Sequence, residues 1–194
     1  MSDLQQTTRP MRADARRNRV RIMEAAREVF ASEHPDVGID ELARRAGVGV
    51  GTVYRHFPHK QALMGELVRE RFELFNERLR EAIAEDAEDA FAALADAMHA
   101  NLASIAADSA TRMSFMSGGE KVFSYAAAEA EEFLGLSRVL VERAQAAGEL
   151  RADFRAEDIP MLMCGICATI DTHKPSWDWE RYLELLLSGM RTQG

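Results

Sequence analysis

From Lys60 to Glu85, apolar side chains return every three or four residues, at Met64, Val68, Phe72, Phe75, Leu79 and Ile83, which is the stripe of one long α-helix. The same period runs through nearly every other segment. No stretch alternates apolar and polar residues for long enough to make a half-buried strand. The expected fold is therefore all-α, with about nine helices. An apolar share of 47% over 194 residues can build an ordinary core and excludes bulk disorder. The longest uncharged run, Ile159 to Ile170, has twelve residues, short of the roughly 20 that cross a bilayer, so no membrane span is expected.

Pro and Gly punctuate the remaining helices. A first helix over about Ala13–Ser32 sets Met23, Ala26, Val29 and Phe30 on one face and is stopped by Pro35. A short helix near Ile39–Ala46 is interrupted at Gly47, and a second, near Val50–Phe57, is closed by Pro58. After the long helix come helices over about Asp89–Ala107 and Ala126–Ala147, the latter ended by Gly148, with a loop marked by Gly118-Gly119 between them. The last two, about Asp158–His173 and Trp177–Arg191, flank a Pro175-Ser176 turn with Ser176 as N-cap and Asp178 and Glu180 in the first turn.

A net charge of −8 hides a division of the chain. Residues 1–60 hold eleven Arg or Lys against eight Asp or Glu, whereas residues 61–194 hold thirteen against twenty-four. Between Arg9 and Arg21 six arginines face one acid, Asp14, a density suited to a polyanionic partner. The long fourth helix bridges these basic and acidic parts. The arginines are not followed by the apolar stretch of a secretory leader, and Cys164 and Cys167 are too few for a disulfide framework. Both features point to a cytoplasmic chain.

Two short helices joined by a Gly-containing turn make a helix-turn-helix, whose second helix enters a major groove. Here that helix carries a hydroxyl, a phenol, a guanidinium and an imidazole on Thr52, Tyr54, Arg55 and His56, while Val53 and Phe57, four apart, anchor it inward. Lys60 adds a cation at the head of the next helix.

The run Ile39-Asp40-Glu41-Leu42-Ala43-Arg44-Arg45-Ala46-Gly47-Val48, followed by Gly51-Thr52-Val53-Tyr54-Arg55-His56-Phe57 and then Lys60 and Leu63, resembles the signature of the tetracycline-repressor (TetR) family of transcriptional regulators. The likeness covers about residues 16–64 and is most specific at Gly-Thr-Val-Tyr-x-His-Phe-x-x-Lys. It implies a homodimer that binds a palindromic double-stranded DNA operator and releases it when a small molecule enters the C-terminal domain. By position, Thr52, Tyr54, His56 and Lys60 fall where the family contacts DNA, Val50, Gly51 and Arg55 fall at the variable positions facing the bases, and Arg44 joins this surface. The family usually starts the two short helices with Thr or Ser, and this chain has Gly38 and Gly49 there. Glycine caps only a few tenths of a kcal/mol less well, but two hydroxyls for phosphate are lost.

The implied organisation is a flexible basic arm over 1–11, a DNA-binding domain over 12–74, and an effector-binding and dimerisation domain over 75–194. Seven methionines from Met64 onward, interspersed with phenylalanines, suit a cavity for an apolar or amphipathic guest. Its candidate lining is Phe91, Met98, Asn101, Leu102, Met113, Met116, Phe133, Met163 and Cys167, with Asn101 and His99 as polar contacts. The apolar residues of the last two helices form bands too wide for one buried stripe, which makes Ile166, Ile170, Tyr182, Leu186 and Met190 candidates for the dimer interface.

Cys164-Gly165-Ile166-Cys167 has the C-x-x-C spacing of redox centres but lacks their strand-then-helix setting. A metal- or redox-responsive regulator sensing through these thiols is the alternative reading. No metal site is expected, because no second ligand cluster exists. The chain has no G-x-S-x-G, Walker loop or H-E-x-x-H, and Glu129, Glu131 and Glu132 read as a solvated helix face. Neither an enzyme nor a bound cofactor is expected.

Overall fold

The computed structural model describes residues 8–31, 38–85, 89–170 and 178–192. They form ten α-helices: α1 (Thr8–Ala31), α2 (Ile39–Ala46), α3 (Val50–His56), α4 (Lys60–Ala84), α5 (Ala90–Ala107), α6 (Ser109–Ser117), α7 (Gly119–Phe123), α8 (Ala127–Ala146), α9 (Asp158–Ile170) and α10 (Trp179–Met190), with a 3-10 turn at Ser124–Ala126 between α7 and α8. Among the described residues there is no β-strand, only one bridge between Leu150 and Arg191. The all-α expectation holds. α1 starts at Thr8, earlier than the expected Ala13, so helix covers the last four residues of the proposed arm, and residues 1–7 lie outside the described residues.

At 1.5 Å per residue the 25 residues of α4 span roughly 38 Å, and helices from both halves pack on it. Its buried Leu63, Leu67, Val68, Phe72, Phe75 and Leu79 belong to one continuous core that also takes Ile22, Val29 and Phe30 of α1, Leu42 of α2, Val53 of α3 and Leu140 of α8. α5, with mean hydropathy 1.2, is the one helix among the described residues long and apolar enough for a membrane span. Its Phe91, Leu94, Met98, Leu102 and Ile105 are buried in this core instead.

Two helices fill what the sequence marks only as the Gly118-Gly119 loop. Asp108 causes the first of them. It follows α5 and caps α6, its Oδ1 accepting from Thr111 N–H at 3.0 Å and its Oδ2 from the Thr111 hydroxyl at 2.7 Å. The chain then turns into α7 at Gly119, whose φ of +60° favours glycine. Gly148, at φ +75°, likewise ends α8, and Glu149 N–H closes on Ala144 C=O at 2.9 Å.

The Asp108 carboxylate also collects two arginines. Arg71 of α4 donates to Oδ2 from Nη2 at 2.7 Å, and Arg27 of α1 lies 3.4 Å from the same oxygen. Arg71 Nη1 donates to Ser104 of α5, and Arg27 pairs with Glu70 of α4. Asp108 thus joins α1, α4 and α6, and Arg71 extends the link to α5. Burial acts to raise the Asp108 pKa, but the Thr111 hydrogen bonds and the charges of Arg71 and Arg27 outweigh it and hold the carboxyl below its ordinary value.

α9 is described from Asp158 to Ile170, and the expected end at His173 and the Pro175-Ser176 turn lie outside the described residues. The N-cap of α10 is Asp178 rather than Ser176, accepting from Glu180 and Arg181 N–H at 3.0 and 3.1 Å, because a carboxylate one residue before the helix reaches the free amides directly.

Asp108→Ala should lower unfolding free energy by about 2 kcal/mol, between the values of exposed and buried pairs, by leaving Arg71 without its counter-charge. Because the folded carboxyl is held below its unfolded value, its contribution is present above about pH 4 and is lost as pH falls through the folded value. Urea midpoints measured from about pH 6 down to about pH 3 should therefore fall more steeply for the native chain than for Asp108→Asn.

Candidate nucleic-acid interface and effector cavity

The turn between α2 and α3 rests on Gly47, whose φ of +62° and ψ of +36° let its N–H reach the carbonyls of Ala43 and Arg44. Gly38 and Gly49 occupy the N-cap positions with extended backbone and make no side-chain cap. Leu42, Ala43 and Ala46 on α2 and Val53 and Phe57 at α3 are buried, which fixes the outward face of α3. Tyr54 is 51% exposed, Arg55 and Gly51 are exposed, and Thr52 and His56 are half-buried. No atom lies within 4 Å of where a Cβ on Gly51 would sit, so that position presents open backbone.

Three of the expected contacts are held differently. Val50 packs against the core rather than facing outward, because it opens a helix whose first turn lies on α2. Lys60 is half-buried, its Nζ lying 5.5 Å from the centre of the Phe30 ring. Arg44 is exposed but turned back on its own helix, donating from Nε and Nη2 to Glu41 at 2.8 and 2.6 Å. With Arg45 it holds the Glu41 carboxyl down to about 2. This pairing is solvent-exposed and easily exchanged for another anion. Arg16, Arg17 and Arg21 on α1 are exposed on the same half of the molecule, whereas Arg19 stacks 4.8 Å over Phe57 and pairs with Glu66.

In the second half, an apolar cavity of about 70 Å³ is lined by Phe72, Phe75, Ile105, Phe115, Met116, Phe123, Phe133, Pro160, Met163, Cys164 and Cys167. Of the residues expected there, Met116, Phe133, Met163 and Cys167 line it. Phe91, Met98, Asn101, Leu102 and Met113 do not. The stripe of α5 is long, and only its far end, at Ile105, reaches the cavity, while Phe91 at the near end lies under the Arg191 guanidinium at 4.3 Å. Asn101 is buried and accepts from Arg78 at 2.9 Å. His99 is at the surface, 5.5 Å from the Trp179 ring. Met113 is half-buried, with its sulfur 3.1 Å from the Ser117 hydroxyl. Phe72, Phe75, Pro160 and Cys164 were readable only as helix stripes and a thiol pair. Phe115 and Phe123 could not be given a face without α6 and α7.

Cys164 is exposed and Cys167 buried. Burial of the Cys164 sulfur pushes its thiol pKa up, which opposes thiolate chemistry. Among the described residues no three His, Cys, Asp or Glu side chains come together as a metal site. The thiol-sensing alternative therefore gains no support.

α9 and α10 leave apolar side chains in solvent, with Met161 66% and Leu185 56% exposed and Tyr182 exposed beside them. Between the helices runs a groove of about 360 Å³ that includes Met161, Leu162, Leu185 and Leu186. Ile166 and Met190, expected at an interface, are buried in the chain's own core, and Ile170 and Leu186 are half-buried. Ile166 and Met190 point inward because they share the helical phase of Met163 and Leu183.

Residues 22–67 match the family model of bacterial regulatory proteins, tetR family. Residues 86–192 match the C-terminal domain model of SbtR-like transcriptional regulators. A TetR transcription regulatory protein from Mycobacterium vanbaalenii is 32% identical over 94% of this chain and 100% of its own, with a TM-score of 0.59. The transcriptional regulator FadR from Bacillus subtilis, solved with stearoyl-CoA, shares the fold with a TM-score of 0.70 at 22% identity, over 88% of this chain and 98% of its own. HTH-type transcriptional regulators of Staphylococcus aureus are 36% identical over 66 residues, 34% of this chain. That match spans about a third of those relatives' own length, 36%. The chain belongs to the tetR family of bacterial regulatory proteins and is a transcriptional regulator with a DNA-binding helix-turn-helix.

The placement of the thiols is checked by counting them. An aromatic disulfide reagent should modify one cysteine in the folded chain, slowly, and both after denaturation, and Cys164→Ser should remove the folded-state reaction.

Proposed function

We propose that the chain is a repressor that binds a palindromic operator as a homodimer and is released by a small apolar or amphipathic effector. The observation that carries this reading is that α4 is common to both sites: its head follows the open face of α3, and its Phe72 and Phe75 line the cavity. The division into a DNA-binding unit over 12–74 and an effector and dimer unit over 75–194 follows, with α4 running through the boundary. A fold relative solved with stearoyl-CoA supports an effector for this architecture, and the Staphylococcus aureus and Mycobacterium vanbaalenii relatives are transcriptional regulators.

In this reading Gly51, Thr52, Tyr54, Arg55 and His56 meet DNA, with Arg44 and Lys60 leaving Glu41 and Phe30 for phosphates. A second copy covers Met161, Leu162, Tyr182, Leu185 and Leu186. Twofold symmetry then sets two copies of α3 about 34 to 36 Å apart, the spacing of successive major-groove faces. The effector shifts the dimer off its operator only by its preference for the DNA-incompetent arrangement, and a coupling of about 1 to 3 kcal/mol is a 5- to 150-fold loss of affinity. A tilt of α4 changes the spacing of the two recognition helices without unfolding either.

Selection of bound sequences from genomic or random DNA tests the central reading and identifies the operator. On that DNA, Lys60→Ala should weaken binding about equally across sequences and reduce the salt slope by roughly one unit, whereas Arg55→Ala should relax specificity. An unchanged slope removes Lys60 from the phosphate contacts. Leu185→Glu should give a folded monomer in sedimentation, with operator affinity lowered at least tenfold on the order of one lost half-site; an intact dimer removes this face from the interface.

A further inference from the structure

We propose that the cavity selects an uncharged molecule that makes no hydrogen bond inside the protein, a hydrocarbon or simple aryl compound. This rests on the reading of the cavity as the effector site and narrows its ligand. Its wall is carbon and sulfur throughout. The polar side chains of nearby turns are already committed elsewhere. Thr111 donates to Asp108 at 2.7 Å, Ser114 to the Ala110 carbonyl at 2.8 Å, and Asn101 accepts from Arg78. Among the described residues, the buried side-chain polar atoms without partners, His59 Nδ1, Arg71 Nε, Asn76 Oδ1 and Ser137 Oγ, belong to residues outside the wall. A guest hydroxyl or carboxylate would lose its water and find nothing in return. The cavity, about 70 Å³ and bounded at its rim by exposed Met116, is also smaller than the roughly 150 Å³ that holds benzene in an engineered protein core. Exposed Met116, a flexible thioether at the rim, must move aside for even a small ring.

The test is calorimetric titration of the full chain with toluene, benzyl alcohol and decanoate, repeated on Cys167→Leu, which adds bulk to the buried wall. Toluene should bind at least about tenfold more tightly than benzyl alcohol, with decanoate weaker still, and Cys167→Leu, checked for an unchanged helical spectrum, should reduce toluene binding several-fold. Tighter binding of decanoate or benzyl alcohol, lost in Cys167→Leu, overturns the apolar selectivity and leaves the cavity as an effector site. Binding by none of the three, or binding indifferent to Cys167→Leu, overturns both.

A second and independent observation lies at the head of α4. The geometry points to Tyr125 as the positioning residue that ties the effector half to the recognition helix. Tyr125 stands on the 3-10 turn two residues after cavity-lining Phe123. Its hydroxyl is 3.1 Å from Nε2 of His59, the N-cap residue of α4, and the two rings meet edge-on at 6.0 Å. His59 directly follows Pro58, where the recognition helix has just ended, and its Nδ1 is buried without a partner. Tyr125 also lies flat on Gly65 of α4, where a Cβ would sit 2.5 Å from Tyr125 Cβ and 2.7 Å from Cγ. The short α7 and 3-10 turn therefore present one aromatic to the cavity and another to the start of α4. A guest that displaces Phe123 moves Tyr125, and with it the seat of α3.

This joint can be tested without any effector. Gly65→Ala forces the stem of Tyr125 away and should reduce operator affinity at least about tenfold, and Tyr125→Gly in the same chain, which removes the Cβ and Cγ that the new methyl meets, should restore it to within about threefold, a coupling that independent sites do not show. Tyr125→Phe keeps the ring and removes the hydroxyl, and should speed amide exchange at residues 57–61 with an unchanged melting temperature. Full affinity in Gly65→Ala, or no recovery in the double variant, overturns the joint. If Gly65→Ala does not fold, exchange at 57–61 left untouched by Tyr125→Phe overturns it equally.

Discussion

The arrangement of both halves depends on the Asp108 carboxylate. It caps α6 through Thr111, anchors Arg71 of α4 and approaches Arg27 of α1. A buried arginine needs a counter-charge, and a helix N-terminus needs an acceptor; one side chain meets both needs at the place where three helices converge. Arg71 precedes Phe72, and Asp108 lies three residues beyond Ile105, so the hub sits behind the cavity wall. Through Arg27 it also reaches the helix on which the helix-turn-helix is built.

The recognition surface is made rigid by burial beneath it rather than by caps above it. Gly38 and Gly49 give α2 and α3 no capping side chain, and helices of eight and seven residues are far below the length that stands alone in water. What holds them is the apolar underside of Leu42, Ala43, Val53 and Phe57, packed between the two helices and α1, with the Arg19 guanidinium stacked on Phe57. The outward groups are consequently free of structural duty, except Lys60 and Arg44, which rest on Phe30 and Glu41 until an anion offers more.

The two apolar features of the C-terminal half have different physical characters. The cavity is small and its lining, which includes five phenylalanines, is apolar. The groove between α9 and α10 is larger and open, and its exposed Met161 and Leu185 are the kind of surface that a soluble chain covers with a partner.

Periodicity alone determined that the chain is all-helical, where α2 to α5 and α8 run, and that a helix-turn-helix lies between Ile39 and Phe57, because local spacing and Gly or Pro punctuation are properties of neighbouring residues. It also identified Tyr54 and Arg55 as outward groups, since Val53 and Phe57 define the opposite face. Only the tertiary structure decided that Val50 and Lys60 lean inward, that Asp108 starts a helix inside an apparent loop, and that Phe72, Phe75, Phe115 and Phe123 rather than Phe91 and Met98 enclose the cavity. A stripe says which face of a helix is buried but not which part of it meets a void, and Ile166 and Met190 show the same limit at the last two helices. Those outcomes depend on where helices distant in sequence cross, which no single helix encodes.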